Sequence, residues 1–309
     1  MELLFLGTGA GRPSKDRNVS AAALVFPERG GAFWLFDAGE GTQHQLMRTS
    51  LKLNKLEAVF ITHLHGDHLF GLPGLLSSRS YHEGAGDLPL FGPPGIKSFL
   101  DAVFAITGTH LEYRLDIREA VAGPIWDDGT WSVRCAPLDH RVPCLGYRIE
   151  ERDRPGRLDS ERAKQLGVPF GPLFGALKRG EDVELPDGTI VRSRDVVGPP
   201  IKGRVVTLLG DTKPCPEAVL LAEGADLLVH EATFAAGMEE KAAKYGHSTT
   251  GQAAETAKKA GAKRLVMTHF SHRYRMEDLA SLENEARKVF PETVAAYDLK
   301  AIDIPFRSE

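Results

Sequence analysis

The chain has only three cysteines, Cys135, Cys144 and Cys215, an odd number with no C-x-x-C spacing. That scarcity argues against a disulfide framework and against a thiolate zinc site. Long hydrophobic runs are absent as well. No apolar stretch approaches the roughly 18 residues of a membrane-spanning helix, so none is expected. The first residues lack a basic start followed by a long apolar segment, and read as a strand entering a glycine turn rather than a signal peptide; the expected location is cytoplasmic. Nor is there an excess of charge of one sign. With 42 acidic and 38 basic side chains the net charge is −4, so no general attraction to polyanions is expected, and nucleic-acid binding would need a local basic surface.

What the chain does have is room for a core, 42% of its 309 residues being apolar, and eleven histidines whose positions are far from random. Strand-like runs bounded by Gly, Pro or Asp occur at 2–6, 22–26, 32–36, 58–62 and 88–91, with helices expected at 41–48, 69–80 and 96–107. Strand signals then recur every 8–12 residues through 113–150, the spacing of an antiparallel sheet. Between 151 and 203 the pattern fails: six prolines and frequent glycines leave one good helical run, 160–166, and little that can enter a core. Alternation of strands and helices returns at 204–209, 216–222, 227–229, 235–244, 250–260, 264–267 and 276–289, with closing strands near 293 and 302. Two sheets with helices on their outer faces, interrupted by an insertion, fit this order.

Three histidines fall within six residues, in Thr62-His63-Leu64-His65-Gly66-Asp67-His68. In extended backbone, side chains two apart share a side, so His63 and His65 can converge on one cation. Gly66 permits a sharp turn, after which Asp67 and His68 can face a second. Imidazole and carboxylate are the donors that zinc and similar divalent metals prefer. Two cations need more donors, and His140, Asp211 and His269 each stand directly after an expected strand, where a side chain emerges at a sheet edge. Singly, each would more often be a packed or capping residue; beside HxHxDH they become candidate ligands.

In its motif and in the order of the later His, Asp and His, the chain resembles the metallo-β-lactamase superfamily. The resemblance implies a four-layer αββα sandwich with an inserted extended arm, the metals lying at one edge of the sheets. It implies two zinc ions, one held by His63, His65 and His140, the other by Asp67, His68 and His269, with Asp211 bridging. Two such cations, partly offset by Asp67, Asp211 and a hydroxide, keep a positive charge that favours a phosphoryl oxygen, and zinc lowers the pKa of water to roughly 7.

The metal motif alone does not select a substrate. Four further segments are more specific: His230-Glu231-Ala232-Thr233, His247-Ser248-Thr249, His269 through Tyr274, and the glycine-proline stretch 168–180. Together they resemble the short form of the ribonuclease Z family. That implies one domain over 1–309 with an insertion at about 151–203, and zinc-dependent removal of the 3′ trailer from precursor tRNA. The products would be a 3′-hydroxyl on the tRNA and a 5′-phosphate on the trailer. It also implies a cytoplasmic homodimer that takes no DNA. Asp67 is then the catalytic carboxylate, and His247 paired with Glu231 the acid that assists the leaving ribose oxygen. A bland reading of His247, as the start of a helix capped by Ser248, competes with this.

Arg273 can pair with a phosphate. His230, ending an apolar strand, reads as structural, and His272 is not assigned a role. Residues 168–180 hold Lys178 and Arg179, no acid, and two aromatics, Phe170 and Phe174, that look exposed; residues 148–204 carry 12 basic and 10 acidic side chains, +2 locally. A mobile, mildly basic arm of this kind can follow an RNA backbone without reading bases. Two alternatives remain at this level. One is a metallo-hydrolase for a small ester, thioester or phosphodiester; the other is a metal-bearing RNA-binding protein without catalysis.

Overall fold

Strand Ala21–Phe26 is buried at every position, and its side chains divide by parity: Ala22, Leu24 and Phe26 join one apolar cluster, Ala21, Ala23 and Val25 another. A strand covered on both faces must lie in an inner layer. The computed structural model, which describes residues 1–306, resolves this into two seven-stranded sheets. The first runs in the order Ala301–Asp303, Glu2–Gly7, Ala21–Phe26, Ala32–Phe36, Leu56–Phe60, Leu88–Gly92, Leu115–Glu119. The second runs Thr293–Ala295, Leu265–Thr268, Leu227–Glu231, Val205–Leu209, Cys144–Glu151, Trp131–Leu138, Gly123–Asp127.

Aromatic rings lock the sheets face to face. Phe26 meets Trp131 at 5.1 Å between ring centroids and Phe60 meets Tyr147 at 5.4 Å. The outer face of the first sheet is covered by helices Leu72–Arg79 and Ile96–Thr107, and that of the second by Pro216–Leu221, Thr250–Ala260 and Leu279–Arg287. The result is the αββα order. Helix Thr250–Ala260 starts with a full capping box: the Gln252 amide donates to the Thr249 hydroxyl, and the Gln252 side chain accepts from the Thr249 amide. The cap is therefore Thr249, not Ser248.

Parallel pairing decides where the site forms. Val205–Leu209, Leu227–Glu231 and Leu265–Thr268 are mutually parallel, as are Ala32–Phe36 and Leu56–Phe60. Their carboxyl ends therefore leave at the same edge, where α/β sheets present ligands. Gly210 marks how tightly the layers meet there: a Cβ on it would stand 2.5 Å from Cys144 Sγ and 2.7 Å from Thr62 Cβ.

Several expected elements differ in detail. The run 69–80 breaks into Gly66–Leu69 and Leu72–Arg79, because at Gly71 the backbone passes so close to Gly39 that a Cβ would meet its carbonyl at 2.1 Å. Leu115–Glu119 does not continue an antiparallel meander; it joins the first sheet parallel to Leu88–Gly92. The run 235–244 forms only at its end, as Glu239–Tyr245.

The main unit comprises Met1–Ile149 and Val205–Ile304; Glu150–Arg204, with Pro305 and Phe306, forms a second compact unit. Although few of its residues looked fit for burial, this unit has an apolar cluster of its own, including Ala163, Val168, Leu177, Leu185 and Val196. Helix Ser160–Gln165 is capped by Asp159, which accepts from the Arg162 amide at 2.9 Å. Residues 168–180 contain a second helix, Pro172–Lys178. Of the two aromatics expected to be exposed, Phe170 is, at 87%, but Phe174 is buried in the cluster at 8%.

Candidate metal centre

Seven side chains from four strand ends converge at the edge of the main unit. His63 and His65 follow Leu56–Phe60, Asp67 and His68 open the turn after them, and Asp211 and His269 follow Val205–Leu209 and Leu265–Thr268. His140 comes just after Trp131–Leu138. The donor atoms of His63, His65 and His140 lie within 4.8 Å of one another, as do those of Asp67, His68 and His269, and those of His63, His68 and Asp211. Asp211 Oδ2 stands between the two sets, 3.7 Å from His63 Nε2, 3.5 Å from His68 Nε2 and 3.4 Å from His269 Nε2.

Hydrogen bonds on the far side of the rings set their tautomers. His68 Nδ1 donates to Asp37 Oδ2 at 2.7 Å and His140 Nδ1 to the Gly246 carbonyl at 2.6 Å. The Thr62 hydroxyl donates to Asp37 at 2.9 Å and accepts from His63 Nδ1 at 3.0 Å. The Thr233 hydroxyl donates to Glu231 at 2.7 Å and accepts from His269 Nδ1 at 2.9 Å. In all four rings the proton is on Nδ1, so the Nε2 lone pair faces the centre. His65 turns Nδ1 inward, 3.0 Å from His63 Nε2 and 3.3 Å from His140 Nε2. His68 Nε2 and His269 Nε2 stand 3.2 Å apart. Lone pairs packed at such distances repel unless a cation lies among them. The donor set therefore fits divalent metal.

The electrostatics of three of the rings agree with that role. Burial pushes His63, His65 and His140 down, which keeps them neutral at pH 7 and able to bind metal. His68 differs: burial opposes its charge, but Asp211 and Asp37 outweigh it and raise it, so a cation held at Nε2 would displace a proton there. Asp211 is held well below the usual carboxylate range, burial being outweighed by His269 and His68.

Beside the centre, His247 Nδ1 donates to Glu231 Oε1 at 3.0 Å. Glu231 is fully buried and also accepts from the amides of Ser248 (2.9 Å) and Thr233 (2.9 Å), so its position is fixed from three sides. Burial lowers the His247 ring's affinity for a proton, yet the Glu231 carboxylate more than reverses this and raises it to about 9. The ring is thus protonated at neutral pH. Ser248, rather than capping the next helix, uses its hydroxyl to donate to the Thr212 carbonyl at 2.7 Å.

Arg273 lies in the same cleft, its guanidinium 5.2 Å from the Phe234 ring centre. Lys178 and Arg179 belong to the other unit, at the end of Pro172–Lys178, where Arg179 pairs with Glu181 at 2.7 Å. His230 is wholly buried and donates from Nδ1 to the Glu231 carbonyl at 2.7 Å. His272 lines the cleft, while the Tyr274 hydroxyl accepts from the Ala235 amide and braces the loop.

Sequence reasoning missed Asp37. It accepts from the Thr62 amide at 2.7 Å, from the Thr62 hydroxyl and from His68, joining both halves of the motif. The available signal was its place directly after strand Ala32–Phe36, the same strand-end position that marked Asp211. Gly11 was missed too; its amide donates to Asp67 Oδ2 at 2.6 Å.

Known proteins resemble this chain along its whole length. The family descriptions that match are "Anti-Pycsar protein Apyc1" over residues 1–104 and "Beta-lactamase superfamily domain" over residues 182–270. The ribonuclease Z of Bacillus licheniformis is 52% identical, with 96% of this chain and 97% of that protein aligned. The ribonuclease Z of Geobacillus kaustophilus is 53% identical, with 99% of each covered. Among solved structures, the short form of human tRNase Z superposes with a TM-score of 0.72 at 31% identity, covering 99% of this chain and all (100%) of that one.

Proposed function

The chain belongs to the ribonuclease Z family of tRNA 3′-processing endoribonucleases, and from that premise we propose how its centre performs the reaction. His63, His65 and His140 would hold one divalent cation and Asp67, His68 and His269 a second, with Asp211 placed to ligate both. Zinc fits a set so rich in imidazole. When bound, such a pair lowers the pKa of water and stabilises charge on the attacking and departing oxygens. Asp67, oriented by the Gly11 amide, positions the attacking water and takes its proton. His247 carries the proton the departing ribose 3′ oxygen needs, and Glu231 both aims the ring and keeps it protonated. The products are a tRNA 3′-hydroxyl and a trailer 5′-phosphate. The observation that carries this reading is the set of four imidazoles tied back through Nδ1, each turning a lone pair inward.

Outside the centre, Arg273 pairs with a substrate phosphate, and Lys178 and Arg179 contact the tRNA backbone from the insertion within an otherwise single domain. The working form in this reading is a cytoplasmic homodimer, checked by sedimentation. The central test compares precursor tRNA with an unstructured RNA bearing the same 3′ tail, with and without chelator. Cleavage of precursor tRNA alone, abolished by chelation and restored by zinc, is expected. Equal cleavage of both RNAs, or cleavage indifferent to chelation, overturns the reading.

A further inference from the structure

The centre opens into a cleft of about 400 Å³, and the chemistry above occupies only one end of it. The other end is built from Phe234, Lys241, Tyr245 and Arg273. Phe234 is buried, with its ring 6.2 Å from the His247 ring and 6.4 Å from that of Tyr245. The Lys241 ammonium stands 5.9 Å and the Arg273 guanidinium 5.2 Å from the Phe234 ring centre. Tyr245 closes helix Glu239–Tyr245 and is 42% exposed, so its ring has open surface backed by Phe234. Its position is constrained. Gly246 follows with φ 80°, a turn glycine makes without strain, and directs its carbonyl at His140. The carboxylates lining the cleft, Asp67 and Asp211, both belong to the metal centre.

An open aromatic face beside two cations, in a cleft ending at a phosphodiester-cleaving centre, has the chemistry of a nucleotide site: the ring stacks on a base and the cations take phosphate. His247 gives it a direction. If its proton goes to the departing 3′ oxygen, the ribose it faces belongs to the nucleotide on the 5′ side of the cut, and the Phe234 ring, 6.2 Å from that of His247 and 6.4 Å from that of Tyr245, continues the cleft from His247 to Tyr245. We propose that Tyr245 and Lys241 form a subsite for the nucleotide immediately 5′ of the cut, its base stacked on Tyr245 and its own 5′ phosphate on Lys241. This rests on the reading of His247 as the acid. Because every base has a π face, the subsite grips the last tRNA nucleotide without reading its identity.

The test is a double-mutant cycle on precursor tRNA, pairing Tyr245→Ala with an abasic nucleotide immediately 5′ of the cut. Each change alone is expected to lower kcat/KM roughly tenfold to a hundredfold, and the abasic penalty is expected to vanish in the Tyr245→Ala enzyme. Tyr245→Phe restores the wild-type response, which separates stacking from damage to the fold. Lys241→Ala lowers the slope of log KM against log salt by about one. An abasic penalty that persists in full in Tyr245→Ala overturns the subsite. If the penalty that Tyr245→Ala removes is instead that of an abasic nucleotide 3′ of the cut, the site exists on the other side and the assignment of His247 fails. Wild-type cleavage that survives chelation marks failure of the metal reading itself.

Discussion

Asp37 receives donors from Thr62 and His68 while its own backbone sits at φ 57°, in the left-handed region that non-glycine residues rarely enter. His269, at φ 59°, is strained in the same way. Strain of about 1–3 kcal/mol per residue persists where the surroundings over-determine it, and here each backbone is pinned by ring and carboxylate hydrogen bonds. Asp37→Asn is expected to leave the fold intact and weaken metal binding by roughly 10–100-fold, as loss of the partner behind a ligating imidazole does; competition with a coloured chelator measures it. His247→Ala is expected to lower kcat by about 10²–10⁴ with metal content retained. For Glu231→Gln the sign is set by the proton the acid must hold. With Glu231 in place the His247 ring is held protonated above the ordinary imidazole range, so activity falls as pH rises through that raised value. Without the carboxylate, burial still disfavours the charged ring, and the alkaline limb of the kcat profile moves to lower pH.

Strand direction and close packing do the work at the level of elements. Asp211 reaches the centre because Val205–Leu209 ends there, and Gly210 lets that end slide against Thr62 and Cys144. Gly210→Ala is expected to cost about 1–3 kcal/mol in denaturant unfolding, the usual effect of overpacking. It should also lower metal content, because Asp211 and the His63 turn can no longer approach. The break in the helix expected over 69–80 has the same cause. The pattern over 69–80 is helical throughout, yet contact of Gly71 with Gly39 interrupts it, and such a contact between residues over thirty positions apart has no local signature. Thr249 rather than Ser248 caps Thr250–Ala260 because the amide and hydroxyl of Ser248 are already engaged by Glu231 and Thr212.

Across the whole molecule a chain of net charge −4 acts on a polyanion, so attraction must be local. Charge reversal of Lys178 and Arg179 to Glu is expected to raise KM for precursor tRNA and to reduce its salt dependence by about two in log–log slope, kcat carrying little of the change; steady-state kinetics from low to physiological salt check this. The two-sheet architecture was legible because buried strands and amphipathic helices alternate in order. Most of the centre was legible too, since HxHxDH concentrates donors at short spacing and His140, Asp211 and His269 each end an apolar run. The small core of Glu150–Arg204 was not, because glycine and proline mask the few apolar side chains that meet only after folding. By itself, then, the sequence determined the donor chemistry, the order of the elements and the family, all properties of residue type and local spacing. Only the tertiary structure decided that Asp37 lies behind His68 and that Tyr245 and Lys241 border the same cleft as Arg273. Each of these depends on parallel strands and close-packed turns bringing distant segments to one edge, and no local spacing encodes that.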